Sequence, residues 1–119
     1  MLENRSFDHM LGYLEGVDGI SNAPESCPLD PNDPSQGSVP IKDNGYDVSP
    51  DDPNHDIDAI AIQMNGGKMD GFVATQVLLN QNVTNPVSMF DAQSAPILNT
   101  LAKEYAVFDR WFCSLVSHQ

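Results

Sequence analysis

From Ser6 to about Glu15 the apolar residues Phe7, Met10, Leu11 and Leu14 recur at spacings of three and four. That is one helical face, with Ser6 suited to cap it and Gly16 to close it. The pattern then dissolves. Between Val17 and Pro53 stand seven prolines, repeated turn signals and few large apolar residues, which predicts one long surface loop over 17–53 with a short strand near Val39 to Ile41. Periodicity returns at Asp56, an N-cap for a helix carrying Ile57, Ile60, Ala61 and Met64 and ended by Gly66-Gly67. A second amphipathic segment spans about Gly71 to Leu79, and Asn80 to Pro86 is a polar break. In a third helix Pro96 occupies the first turn and Ile97, Leu98, Leu101, Ala102 and Tyr105 form the buried stripe. Ala106 to Cys113 follows with the β-branched and aromatic content of a strand, Trp111 and Phe112 reading as core. A helix feeding a strand favours an α/β fold.

The length of 119 residues and a hydrophobic fraction of 40% suit a single domain with a core. Charge changes the picture more: 17 acidic residues against 5 Lys and Arg give a net charge of −12, which repels nucleic-acid backbones and anionic lipid surfaces. Nucleic acid is therefore excluded as a partner. A bound divalent cation reverses the local sign, so a metal-dependent enzyme acting on phosphate esters stays in view. No apolar run approaches the roughly 18 residues of a membrane span, and the N-terminus has no basic region followed by an apolar core. Cys27 and Cys113 form no metal-ligand spacing; a disulfide and two buried thiols are both open.

Candidate chemistry gathers at the start. Glu3 and Asn4 offer oxygen ligands of the kind hard divalent cations prefer, at the edge of a strand-to-helix turn. The structural alternative is an exposed acid and a capping amide. Asp8 and His9, on the first turn of the helix, serve the helix dipole and local hydrogen bonds. His55 taken alone reads as a solvated loop histidine. Asp30, Asp33, Asp43 and Asp47 lack the spacing of a calcium loop and read as solvated surface. Asp109-Arg110 reads as a buried structural ion pair or sheet-edge contact. Asn4-Arg-Ser6 and Asn82-Val-Thr84 match the glycosylation sequon, with Asn82 the candidate acceptor.

Four ordered segments together carry a resemblance: Glu3-Asn-Arg-Ser-Phe-Asp-His9, Asp52-Pro-Asn-His55, Met69-Asp-Gly-Phe-Val73 and the run Leu101 to Ser114. They resemble the phosphoesterase family that includes bacterial and plant non-specific phospholipases C and a bacterial acid phosphatase. The resemblance implies a partial alkaline-phosphatase-like three-layer α/β sandwich, with 1–119 as the N-terminal portion of one phosphoesterase domain. It also implies cleavage of phosphate esters, phospholipids among them, with Glu3 and Asn4 as ligands of a divalent metal and His55 as an active-site histidine. Family members are often secreted or associated with membrane surfaces.

Asn54 and Asp56 stand where the family has Gly and Ser around that histidine. The family's nucleophile segment, Pro-x-x-Thr-x-Pro-Asn-Arg, is replaced by Leu115-Val-Ser-His-Gln119, and Ser117 lies two positions short of the nucleophile. The expectation is a truncated hydrolase, inactive alone. The alternative is a non-catalytic remnant that binds metal or phosphate weakly.

Overall fold

Four α-helices, four single-turn 3-10 helices and one small sheet make up the computed structural model, which describes residues 5–112. The α-helices are Phe7–Leu11 (α1), Ile57–Met64 (α2), Phe72–Leu79 (α3) and Pro96–Glu104 (α4). The sheet pairs Ser26–Pro28 (β1) antiparallel with Ser38–Pro40 (β2), Cys27 facing Val39. Helix and strand content is thus mixed. Among the described residues no helix is long and apolar enough to cross a membrane.

Within 17–53 only Gly19 and Cys27 are buried, and the short strand expected near Val39 to Ile41 is present as β2, paired in a hairpin. Cys27 of β1 is buried with Val73 and Val87, and Leu29, Val39, Ile41, Phe72 and Val83 pack around them. Each fully buried valine contributes about 1.5–3 kcal/mol. The chain after β2 is tied down too: Lys42 N donates to Val87 O at 3.0 Å, Met89 N to Lys42 O at 2.8 Å and Gly45 N to Met89 O at 2.7 Å. The partner strand β1 escapes a periodicity reading because Cys27 is its one buried residue in three. Prolines 28 and 40 sit within the pairing, which a two-stranded sheet tolerates because each strand has an outer edge. Cys27 is a buried thiol, pushed up from its ordinary pKa by burial and then by Asp70; Cys113 lies outside the described residues.

Ser6 caps α1 as expected, its Oγ accepting from His9 N at 3.2 Å. The helix stops at Leu11, short of Glu15, because the chain turns at Gly12 and folds back, Ile20 N donating to Gly12 O at 2.9 Å.

Helix α2 ends in a left-handed run, Asn65 at φ 41°, Gly66 at 64° and Gly67 at 95°, as the paired glycines predict. Asp70 then accepts from Asn65 Nδ2 at 2.8 Å, and Gly71 N donates to Gln63 O at 3.1 Å. A Cβ on Gly71 would overlap the carbonyl of Ile62. The segment 69–73 is therefore the elbow that lets α3 pack against α2. Helix α3 buries Val73, Ala74, Thr75 and Gln76 and leaves Val77, Leu78 and Leu79 exposed.

Two expected faces are not buried. On α2 only Ala59 is buried, while Ile57 is 61% exposed. On α4 the buried residue is Asn99, and Ile97, Leu101 and Tyr105 of the predicted stripe are exposed. Asn99, 4% exposed, gives its amide Nδ2 to Ala95 O of its own helix at 3.0 Å.

Residues 106–112 form no strand. A strand needs an edge to pair with, and among the described residues none runs beside this segment. Trp111 is 81% and Phe112 79% exposed, so neither is core; Trp111 meets Phe108 edge to face at 5.8 Å. Asp109 and Arg110 do not form a buried pair with each other. Both grip Asp18: Arg110 Nη2 lies 2.8 Å from its carboxylate, and Asp109 Oδ2 accepts from Asp18 N at 2.7 Å. This contact is at the surface, where an ion pair contributes about 0–1 kcal/mol.

Replacing Gly71 with Ala forces the α2–α3 elbow open and should cost about 1–3 kcal/mol. Urea unfolding of Gly71→Ala against the parent measures this; an unchanged midpoint would contradict the close approach.

Candidate active site

Glu3 and Asn4, the expected metal ligands, lie outside the described residues, as do Ser114, Ser117 and His118. The side chain that follows them in the chain, Arg5, is held firmly. Its Nη1 donates to His9 Nε2 at 2.9 Å, one helical turn on, and its Nη2 to Tyr46 O at 3.5 Å. The guanidinium also lies over the Phe90 ring, 5.8 Å from the centroid, a cation–π contact. Phe90 closes the knot by donating its N–H to His9 O at 2.8 Å.

Guanidinium has no acceptor, so His9 Nε2 must carry a lone pair and the ring must be neutral with its proton on Nδ1. Burial, and then the Arg5 charge, hold His9 below its ordinary pKa of 6.5. Beside it, burial followed by the Asp18 charge raises the Asp8 carboxyl above its ordinary range. His9 thus serves local structure, as its place on the first turn suggests. The Arg5–His9 pairing at i, i+4 is visible in the sequence as a spacing.

His55 lies just before α2, half-buried. Its Nδ1 is 2.8 Å from Pro53 O. A carbonyl can only accept, so Nδ1 carries the proton in this bond. The Asp52 carboxylate stands farther off, at 3.9 Å from Nδ1. With the glycine of the resembling motif replaced, Asn54 shapes the turn itself: its Oδ1 accepts from Asp56 N at 2.9 Å, an Asx turn.

A polar cluster supports this loop from behind. Asp51 Oδ2 accepts from Asn82 N at 2.7 Å, and Ser49 Oγ donates to Asp51 O at 2.6 Å. Asn85, 3% exposed, donates its Nδ2 to Asp51 O at 3.1 Å. Asn82 Oδ1 accepts from both Thr84 N and Thr84 Oγ1, at 2.9 and 2.7 Å, and Tyr46 OH is 2.7 Å from Thr84 Oγ1. Within the sequon at Asn82 the amide oxygen and the threonine hydroxyl are thereby engaged in structure. Tyr46 links the two candidate regions, because its carbonyl receives Arg5 and its hydroxyl meets the cluster that holds the loop before His55. Reading the sequence missed these amide side chains; the only signal for them was the polarity of the break at 80–86.

Among the described residues no group of three or more His, Cys, Asp or Glu side chains converges as a metal site.

The Phosphoesterase family pattern matches residues 1–118. The chain belongs to the phosphoesterase family. It is 35% identical to non-specific phospholipase C3 of Arabidopsis thaliana over 97% of this chain and 25% of that protein. Non-specific phospholipase C1 of the same plant is also 35% identical, over 97% of this chain and 24% of its own length. Phospholipase C A of Mycobacterium tuberculosis (strain ATCC 25618 / H37Rv) is 30% identical over 98% of this chain and 25% of that protein. The chain spans about a quarter of the length of the curated relatives it matches. No solved structure matches it.

In this chain the His9 shift makes stability pH-dependent. Its folded pKa is depressed, so its contribution is present above the unfolded value of 6.5 and is lost as pH falls through the lower folded value. Asp18, Asp33 and Asp91 are held below the ordinary carboxyl value of 3.8 by side-chain hydrogen bonds, and their contributions disappear only at much lower pH. Melting temperature should therefore fall on acidification from about pH 7.5 to 5. His9→Gln, which keeps an acceptor for Arg5 but does not titrate, should flatten that slope. An equal slope in the variant would contradict the assignment.

Proposed function

We propose that this chain contributes to the site of a metal-assisted phosphate-ester hydrolase acting on phospholipids, and that residues 1–119 form part of one alkaline-phosphatase-like phosphoesterase domain. The observation that carries the reading is the hydrogen bond from His55 Nδ1 to Pro53 O. It presents Nε2 as the reacting nitrogen of an imidazole, the side chain whose proton affinity suits transfer near neutrality. Membership of a family whose matched relatives are named phospholipases C supports the substrate class.

The donor set fits a hard cation. Glu3 and Asn4 supply one carboxylate and one amide oxygen, and the ion's remaining positions are of the kind water and phosphoryl oxygens fill. When bound, such an ion stabilises charge developing on the phosphoryl oxygens. It also gives a chain of net charge −12 a local positive centre for an anionic ester. In this reading His55 protonates the leaving group or holds a phosphoryl oxygen.

The test is hydrolysis of phosphatidylcholine vesicles and of p-nitrophenyl phosphate by the full protein, with Mg²⁺, Ca²⁺, Mn²⁺ or Zn²⁺ added and then chelated. Turnover should vanish on chelation, and His55→Ala should lower kcat by about 10²–10⁴-fold. Glu3→Ala should weaken cation binding, followed by isothermal titration. Hydrolysis indifferent to chelation and to both substitutions would overturn the reading. Cation binding without turnover would instead favour the non-catalytic binding module.

A further inference from the structure

Four consecutive backbone carbonyls before α2 are each taken by a side-chain donor. Asp51 O accepts from Ser49 Oγ and Asn85 Nδ2, at 2.6 and 3.1 Å. Asp52 O accepts from Gln81 Nε2 at 3.3 Å, Pro53 O from His55 Nδ1 at 2.8 Å, and Asn54 O from Gln63 Nε2 at 2.7 Å. Besides Ser49 and His55 of the loop itself, the donors come from three places: α2, the chain beyond α3, and the turn at residues 85–87. The loop has few backbone donors of its own to offer, because Pro50 and Pro53 have no N–H. Carboxamides satisfy its carbonyls without adding charge beside the imidazole.

We propose that Gln63, Gln81 and Asn85 are positioning residues for His55: by fixing the carbonyls on either side of Pro53, they hold Pro53 O where it keeps the His55 proton on Nδ1 and the lone pair on Nε2. The inference rests on reading His55 as a site residue. Gln63 is the principal member. Its amide reaches back nine residues to the carbonyl adjacent to His55, with Thr75 Oγ1 beside it at 3.4 Å. Rotation of the Asn54 peptide would carry the His55 backbone with it, so the loss of this one donor acts directly on the ring. Displacements of about 1 Å in such a constellation cost about 10²-fold in rate.

The test is a long-range proton–nitrogen NMR correlation of the imidazoles in the uniformly ¹⁵N-labelled 119-residue chain, with His55 assigned by its loss in His55→Asn. Nδ1 of His55 should show the signature of a protonated nitrogen and Nε2 that of a lone pair. In Gln63→Leu, which keeps the bulk and removes the donor, the two signals should move toward the averaged shifts of exchanging tautomers. Gln63→Lys, which restores a donor to Asn54 O, should move them back. Where Gln63→Leu does not fold, Gln81→Leu at the more exposed end of the loop carries the same expectation in smaller measure. A His55 protonated on Nε2 in the parent, or tautomer signals unmoved in folded Gln63→Leu and Gln81→Leu, would overturn the proposal. In the hydrolysis assay Gln63→Leu should lower kcat about ten- to a hundredfold with KM nearly unchanged. Absence of hydrolysis in the parent, with the tautomer shifts as expected, would remove the catalytic reading and leave the positioning of His55 standing.

Discussion

Asn82 donates its backbone N–H to the carboxylate of Asp51 at 2.7 Å across 31 residues of chain, and on this bond the order of the candidate site depends. A hydrogen bond to a charged group contributes about 1.5–3 kcal/mol, and this one joins the chain that follows α3 to the loop that precedes α2. Everything on either side is arranged around it. Asn82 Oδ1 fixes Thr84, Thr84 meets Tyr46, and Tyr46 O receives Arg5, the residue after Glu3 and Asn4. On the other side the Asp51 carbonyl is held by Ser49 and Asn85. Two proposed parts of one site, distant in sequence, are thus attached to a single polar junction.

Hydrophobic packing supports that junction without forming it. Cys27, Val73 and Val87 make a small core between the hairpin and α3, and Gln76, fully buried beside it on α3, sends its Nε2 to Asn82 O at 3.3 Å. So the apolar core and the polar brace share one helix. The exposed apolar residues of α4 and the 105–112 segment stand apart from both, with α4 touching α1 and Asp109 and Arg110 gripping Asp18 at the surface.

Much of this was legible in the residues. Ser6 as a cap, the glycine stop after Met64, Pro96 at a first turn and the three longer helices follow from capping chemistry and periodicity, which act locally. Which face of each helix is buried was not legible. Ile97, Leu101 and Tyr105 form an apolar stripe that any periodicity argument assigns to a core, yet α4 turns Asn99 inward. Burial depends on what lies opposite, and for α4 and for 106–112 the described residues provide little. Of the hairpin in 17–53 the strand near Val39 was legible, whereas its partner β1 was hidden for a different reason: a strand of three residues carries too few apolar positions to register. At the site, His55 was singled out by its motif, whereas Gln63, Gln81, Asn82 and Asn85 were not. An amide acts through hydrogen-bond geometry that composition and spacing do not encode.

The functional reading therefore rests less on any one residue type than on how a proline-interrupted loop is held. The central claim is that 49–55 is an ordered support and not a mobile surface loop. Hydrogen exchange at the Asn82 and Thr84 amides, both of which donate to side chains outside any helix, tests it most directly. Protection comparable with the interior of α3 is the predicted result. Exchange at the rate of an unstructured chain would contradict it.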